Sequence, residues 1–119
     1  MPEIEVASIQ VGGFRYSVEA GSDAARDCRR ETRYGSCDNV ELVIRIDSKW
    51  GECRTSETII HEMLEAVVYI YLNGELKHKD LSLIANGLHQ VMESLGVRFT
   101  AKLLETEVEA ERKEHDSHK

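Results

Sequence analysis

The chain predicts an α+β domain, an N-terminal antiparallel sheet of three or four strands followed by two packed helices. Three observations predict it. Apolar and polar side chains alternate through the first half, as they do in half-buried strands. From Glu57 to Leu72 the chain has no Gly or Pro and repeats apolar residues at helical spacing. A further run from about Lys79 to Leu95 places Leu81, Ile84, Leu88, Val91 and Leu95 on one stripe.

Ile9, Val11, Phe14, Tyr16 and Val18 surround Gly12-Gly13, a two-residue hairpin signal. Residues 21–33 are polar and charged and read as a loop. Arg33 to Cys37 begins a third strand, Asp38-Asn39 reads as the next turn, and Val40 to Ile46 alternates as a fourth strand. Residues 47–54 connect to the helices, with Trp50 as a loop anchor. Ser56 is the expected N-cap of the first helix, where Glu57 complements the positive end of the dipole. The β-branched content of Ile59, Ile60, Val67, Val68 and Ile70 favours a strand, but the unbroken length favours a buried helix. Asn73-Gly74 supplies its stop and Gly96 ends the second helix. The division is one domain over 1–99 and a polar, acidic tail or exposed helix over 100–119.

With 119 residues, 41% of them hydrophobic, the chain suits one modest core. Its formal charge of −7 disfavours nucleic acid as a partner, because phosphates are gripped by Lys and Arg clusters. The one basic group is Arg26, Arg29, Arg30 and Arg33, which reads as a solvated face. Cys28, Cys37 and Cys53 form no C-x-x-C pair and read as free thiols of a reducing compartment. Met1 to Glu5 has no signal-peptide pattern, and Ala66 to Leu72 is far shorter than the roughly 20 residues of a membrane span. The expectation is a cytoplasmic protein with no membrane partner; a homo-oligomer is compatible with it.

The chemistry concentrates in His61-Glu62-Met63-Leu64-Glu65. On a helix His61 and Glu65 are one turn apart and share a face, so an imidazole nitrogen and a carboxylate oxygen reach one metal ion. Glu62 is turned about 100° away, better placed to hold a water than to ligate. This is the H-E-x-x-H plan with Glu65 in place of the second histidine. The like charges of Glu62 and Glu65, three apart in an apolar helix, repel, and a bound cation offsets that cost. The competing reading makes these residues the helix's solvent face. Tyr69 lies on the same side, as core packing or an oxyanion donor. In a tight helical hairpin, His89 is level with the motif and His78 is not. His78 comes within reach only if the connection runs back along the first helix.

The stretch Thr58 to Val67 and the later Ile84-Ala85-Asn86-Gly87-Leu88-His89-Gln90-Val91-Met92 resemble a family of small phage and bacterial zinc metallopeptidases of minimal zincin-like build. That family usually bears H-E-x-x-H and then L-A-N-G-L-x-Q. Val11 to Val18 and Glu41 to Asp47 look like its opening sheet, so the resemblance covers roughly residues 9–95. It departs at Glu65. In the family's pattern the position matching His78 is commonly acidic, so two identities look exchanged. The resemblance thus implies one Zn2+ per chain on His61, Glu65 and His78, with one open position. It implies Glu62 as general base, a peptide or protein substrate, and a hydrolase of phage or mobile-element type. Read by themselves, Asn86 and Gly87 suit close helix packing, with Asn86 orienting a ligand. The alternatives are a non-catalytic zincin-like binding protein whose metal is a staple or absent, and a small interaction module without metal. A metal site on His115 and His118 is the weakest reading.

Overall fold

The computed structural model describes residues 3–20, 34–47 and 50–101. In chain order they form β1 (Glu3–Glu5), β2 (Ser8–Val11), β3 (Phe14–Ala20), β4 (Gly35–Asp38), β5 (Val43–Ile46), α1 (Glu52–Leu72), α2 (His78–Ser94) and β6 (Arg98–Thr100). The class is α+β, with strands first and two helices after them. The expected loop 21–33, its arginine group, Cys28, and the tail from residue 102 with His115 and His118 lie outside the described residues.

The main sheet has the order β2-β3-β5-β4 and is mixed rather than antiparallel. β2 and β3 pair antiparallel as the Gly12-Gly13 hairpin, with Val11 opposite Phe14. Gly12 has φ +60°, and a Cβ there would meet Ile70 Cγ2 at 2.9 Å, so both the turn and the packing demand glycine. β4 takes the far edge, and β5 returns between β4 and β3. Being antiparallel to β4, β5 runs parallel to β3. β5 also starts later than the alternation suggested. Asp38 Oδ1 accepts the N–H groups of Val40 and Glu41 at 2.9 Å each, an Asx turn that holds Val40 in solvent. A second, two-stranded parallel sheet joins β1 to β6, so Thr100, the first residue of the expected tail, belongs to a strand.

α1 begins at Glu52, ahead of the expected start, with Gly51 as N-cap at φ 96°. Ser56 is therefore not the cap. It is buried inside the helix, where its Oγ accepts the Phe99 N–H at 2.9 Å and ties β6 to α1. Ile59, Met63, Ala66 and Ile70 recur at helical spacing and pack into the core with Val18, Ile44 and Ile46 of the sheet. Asn73 in the left-handed region at φ 53° closes the helix, its N–H bonding back to Val68 O.

α2 packs on the other side of α1, and there only Leu81 of the expected apolar stripe is buried. Leu81, Ala85 and His89 are its buried residues. Ile84, Leu88, Val91 and Leu95 are exposed. The two helices run antiparallel, since the start of α1 lies against the end of α2 at Cys53 and His89. Asn86 and Gly87 face solvent, and a Cβ on Gly87 would meet nothing within 4 Å, so this pair does not serve close packing. Among the described residues no helix is long and apolar enough to cross a membrane.

Candidate metal centre

The centre is assembled from the middle of α1 and the first turn of α2. His61 and Glu65, one turn apart, bring Nε2 and Oε1 to 3.6 Å. His78, the first residue of α2, brings Nδ1 to 3.3 Å from the same Glu65 oxygen. The His61 and His78 rings stand edge to face with centroids 5.2 Å apart. Three candidate ligand atoms thus lie within 4.8 Å of one another. Metal–N and metal–O bonds of about 2.0–2.2 Å place tetrahedral neighbours roughly 3.3–3.6 Å apart, the spacing already present between Glu65 and each imidazole. Two imidazoles and one carboxylate are also a chemically suitable donor set for a divalent transition ion.

His78 arrives there because the connection folds back. Gly74 takes φ +75°, and its N–H bonds to Val68 O at 3.0 Å. Gly74, Leu76 and His78 then line a small pocket of about 140 Å³ with Glu65, Val68 and Tyr69 of α1. Leu81, 2% exposed, anchors the first turn of α2 behind His78.

The three residues form one wall of a larger pocket of about 440 Å³, also lined by Tyr34, Gly35, Cys37, Arg54, Glu57, Thr58 and Glu62. Gly35 lets the edge strand close that pocket. A Cβ there would sit 2.5 Å from Thr58 Cγ2 and 3.3 Å from Glu62 Cγ, so β4 crosses α1 almost in contact. Glu62 is buried at 7% exposure, the opposite of a solvent-face residue.

The electrostatics favour a cation. Counting the imidazoles as neutral, three carboxylates (Glu57, Glu62 and Glu65) face one guanidinium, Arg54, around the pocket. That guanidinium is already engaged, 3.5 Å from Glu57 and over the Tyr34 ring at 4.8 Å. Burial lowers the His61 pKa below its ordinary value, outweighing the opposite pull of Glu65. His61 is then neutral at pH 7, with a lone pair to offer. Cys37 is pushed up to about 12, first by burial and then by Glu62 and Glu65, so it stays a thiol while no cation is near.

Of the residues singled out in the sequence, His61, Glu62, Glu65 and His78 share this pocket. His89 is elsewhere, with Nε2 3.4 Å from Cys53 Sγ. Tyr69 is half exposed rather than in the core and, of these two pockets, lines the smaller. Trp50 donates to Asp47 Oδ2 at 3.0 Å and stands edge-on to Tyr34, beside the pocket mouth. Tyr34, Cys37 and Arg54 were not singled out as site residues. Tyr34 and Cys37 reach the pocket through long-range packing of the edge strand, whereas Arg54 lies two turns before His61 on the same helix, a spacing the sequence carried. Compared with protein-family models, with curated proteins and with solved structures, the chain matches none.

Proposed function

We propose that the protein is a zinc-dependent hydrolase of the metallopeptidase class, of the small phage or bacterial zincin-like kind that its motif segments resemble. One observation carries the reading: His61, Glu65 and His78 offer three ligand atoms within 4.8 Å on the wall of a pocket that also holds the Glu62 carboxylate. His61, Glu65 and His78 would hold one zinc ion. When bound there, the ion supplies Lewis acidity that polarises a carbonyl and lowers the pKa of water towards about 7.

The chain's own groups supply the rest. Glu62, adjacent to His61 but turned to the pocket interior, takes a proton from the attacking water and delivers it to the leaving amine. Its burial against β4 restricts its rotamers and keeps bulk water from competing for the proton. Glu65 lies between the two imidazoles, and its charge favours orientation of both rings towards one point. Arg54, among the described residues the guanidinium that lines the pocket, would have to leave Glu57 and the Tyr34 ring to meet a substrate carboxylate or carbonyl.

The experiment pairs metal content with turnover. Glu62→Gln is expected to keep its zinc while cleavage of a fluorogenic peptide library falls by about 10²–10⁴-fold. Turnover equal to wild type, at equal zinc content, contradicts the assignment.

A second reading has an observation of its own. The three ligands bridge α1 and α2, so an ion there also pins the helix pair, as a structural staple does. A staple without catalysis shows a large fall in Tm on chelation and no peptide cleavage by the zinc-loaded wild type.

A further inference from the structure

The chain carries a second set of metal-ligating side chains that the pocket does not use. Cys53 stands in the first turn of α1, and His89 and Glu93 stand one turn apart near the end of α2. His89 Nε2 is 3.4 Å from Cys53 Sγ and 3.8 Å from Glu93 Oε1. Ligand atoms of the three lie within 4.8 Å of one another. For a tetrahedral ion with an M–S bond of about 2.3 Å and M–N and M–O bonds of about 2.0–2.2 Å, neighbouring ligands are roughly 3.3–3.7 Å apart.

The cluster is also incomplete by itself. His89 is 9% exposed, and its Nδ1 and Glu93 Oε2 are the buried side-chain atoms without a hydrogen-bond partner among the described residues. Buried polar atoms are normally paired, and a missing ion or water is a standard cause of an exception. An ion held by His89 Nε2 would answer the Glu93 orphan, whereas Nδ1, on the opposite side of the ring, calls for a water or another partner of its own. Arg98 explains which oxygen is spare. Its Nε and Nη2 both donate to Glu93 Oε1, at 3.2 and 2.8 Å, while Nη1 reaches Glu52 at 3.3 Å. Oε1 is thereby oriented and Oε2 is left for another partner. Cys53 is exposed, which gives an ion a path in from solvent.

We propose that Cys53, His89 and Glu93 form a second divalent-metal site, selective for thiophilic ions such as zinc or cadmium, clamping the start of α1 to the end of α2. A thiolate in the donor set separates it from the nitrogen and oxygen set of the pocket and favours softer ions. Binding exchanges the Cys53 S–H proton for an S–metal bond, and the proton leaves to solvent. The proposal does not depend on hydrolase activity.

The test uses Co2+ as a spectroscopic probe on the full chain under reducing conditions. In the His61→Ala, His78→Ala double variant, which lacks the pocket set, one equivalent is expected to bind with a sulfur-to-cobalt charge-transfer band. Adding Cys53→Ala should abolish that band and weaken binding at least 100-fold, while replacing Cys28 and Cys37 by Ser should leave it. If the double variant does not fold, wild type serves: Cys53→Ala, a change at an exposed residue, should drop two bound equivalents to one. No sulfur band in either chain, or a band that survives Cys53→Ala, overturns the proposal.

Discussion

The two clusters are built on one plan. α1 carries His61 and Glu65 four residues apart and takes its third candidate ligand, His78, from the first turn of α2. α2 carries His89 and Glu93 four residues apart and takes its third, Cys53, from the first turn of α1. Along α1 the eight residues from Cys53 to His61 separate them by about 12 Å. Their surroundings differ. The first cluster opens onto a pocket of about 440 Å³ with a further buried carboxylate in its wall. The second has its carboxylate held by Arg98 and a thiol in place of an imidazole. An antiparallel helix pair can thus present the same ligand spacing twice, and under the proposed roles the two differ in the room beside the ligands and in the further carboxylate, Glu62, that lines the first.

The largest expected effect is at Glu62. Glu62→Gln should cost about 10²–10⁴ in peptide turnover with zinc retained, whereas a loss of zinc would make Glu62 a ligand and blur the division. Next comes the third ligand. His78→Ala should weaken metal at the pocket by more than about 100-fold, because even partners of ligands are worth 10–100-fold. The cobalt–sulfur band at the other cluster should persist in that variant.

The pH dependence should separate the two more finely. The Cys53 thiol is raised above its ordinary value of 9.0, first by partial desolvation of the sulfur, although the residue as a whole is exposed, and then by Glu93, so a proton competes with metal at every pH below it. Affinity there should fall about tenfold per unit as pH drops, one proton being displaced per ion. His61 is lowered from 6.5, so its proton begins to compete only below that value. Potentiometric or cobalt titration between pH 8 and pH 6.5 reads both. The same shift has a stability sign. In the window below 6.5 the unfolded chain binds the His61 proton more tightly than the folded one, so this term destabilises the metal-free fold as pH falls.

Two glycines give the smallest contrast. Gly35→Ala puts a Cβ 2.5 Å from Thr58 Cγ2 at the pocket wall and should cost about 1–3 kcal/mol, as overpacking does. Gly87→Ala, on an open helical surface, should stabilise by about 0.5–1 kcal/mol. Thermal melts distinguish the signs.

The local parts of this architecture are written in short stretches of chain. Gly12-Gly13 between alternating residues is a hairpin signal, and His61 with Glu65 is a one-turn pair; both need only a few neighbours to be read. What was not read depends on contacts far apart in sequence. The parallel pairing of β3 with β5 follows from β4 taking the edge, which no residue in either strand encodes. Ser56, a cap by residue type, turns instead to Phe99 across the fold, while the first turn of α1 closes on Gly51. β6 is three residues long, too short for a periodic pattern. On α2 the apolar stripe was legible and its burial was not, because α1 covers the face of Leu81, Ala85 and His89. The second cluster was hidden for the same reason: Cys53 and His89 meet across 36 residues.

The central claim is that His61, Glu65 and His78 share one ion, and zinc content per chain tests it most directly. Elemental analysis of zinc-loaded, untagged protein should show that His61→Ala and His78→Ala each lose the same single equivalent relative to wild type, and that the double variant loses no more than either. Zinc content unchanged by both substitutions, or no zinc in the loaded wild type, contradicts the account.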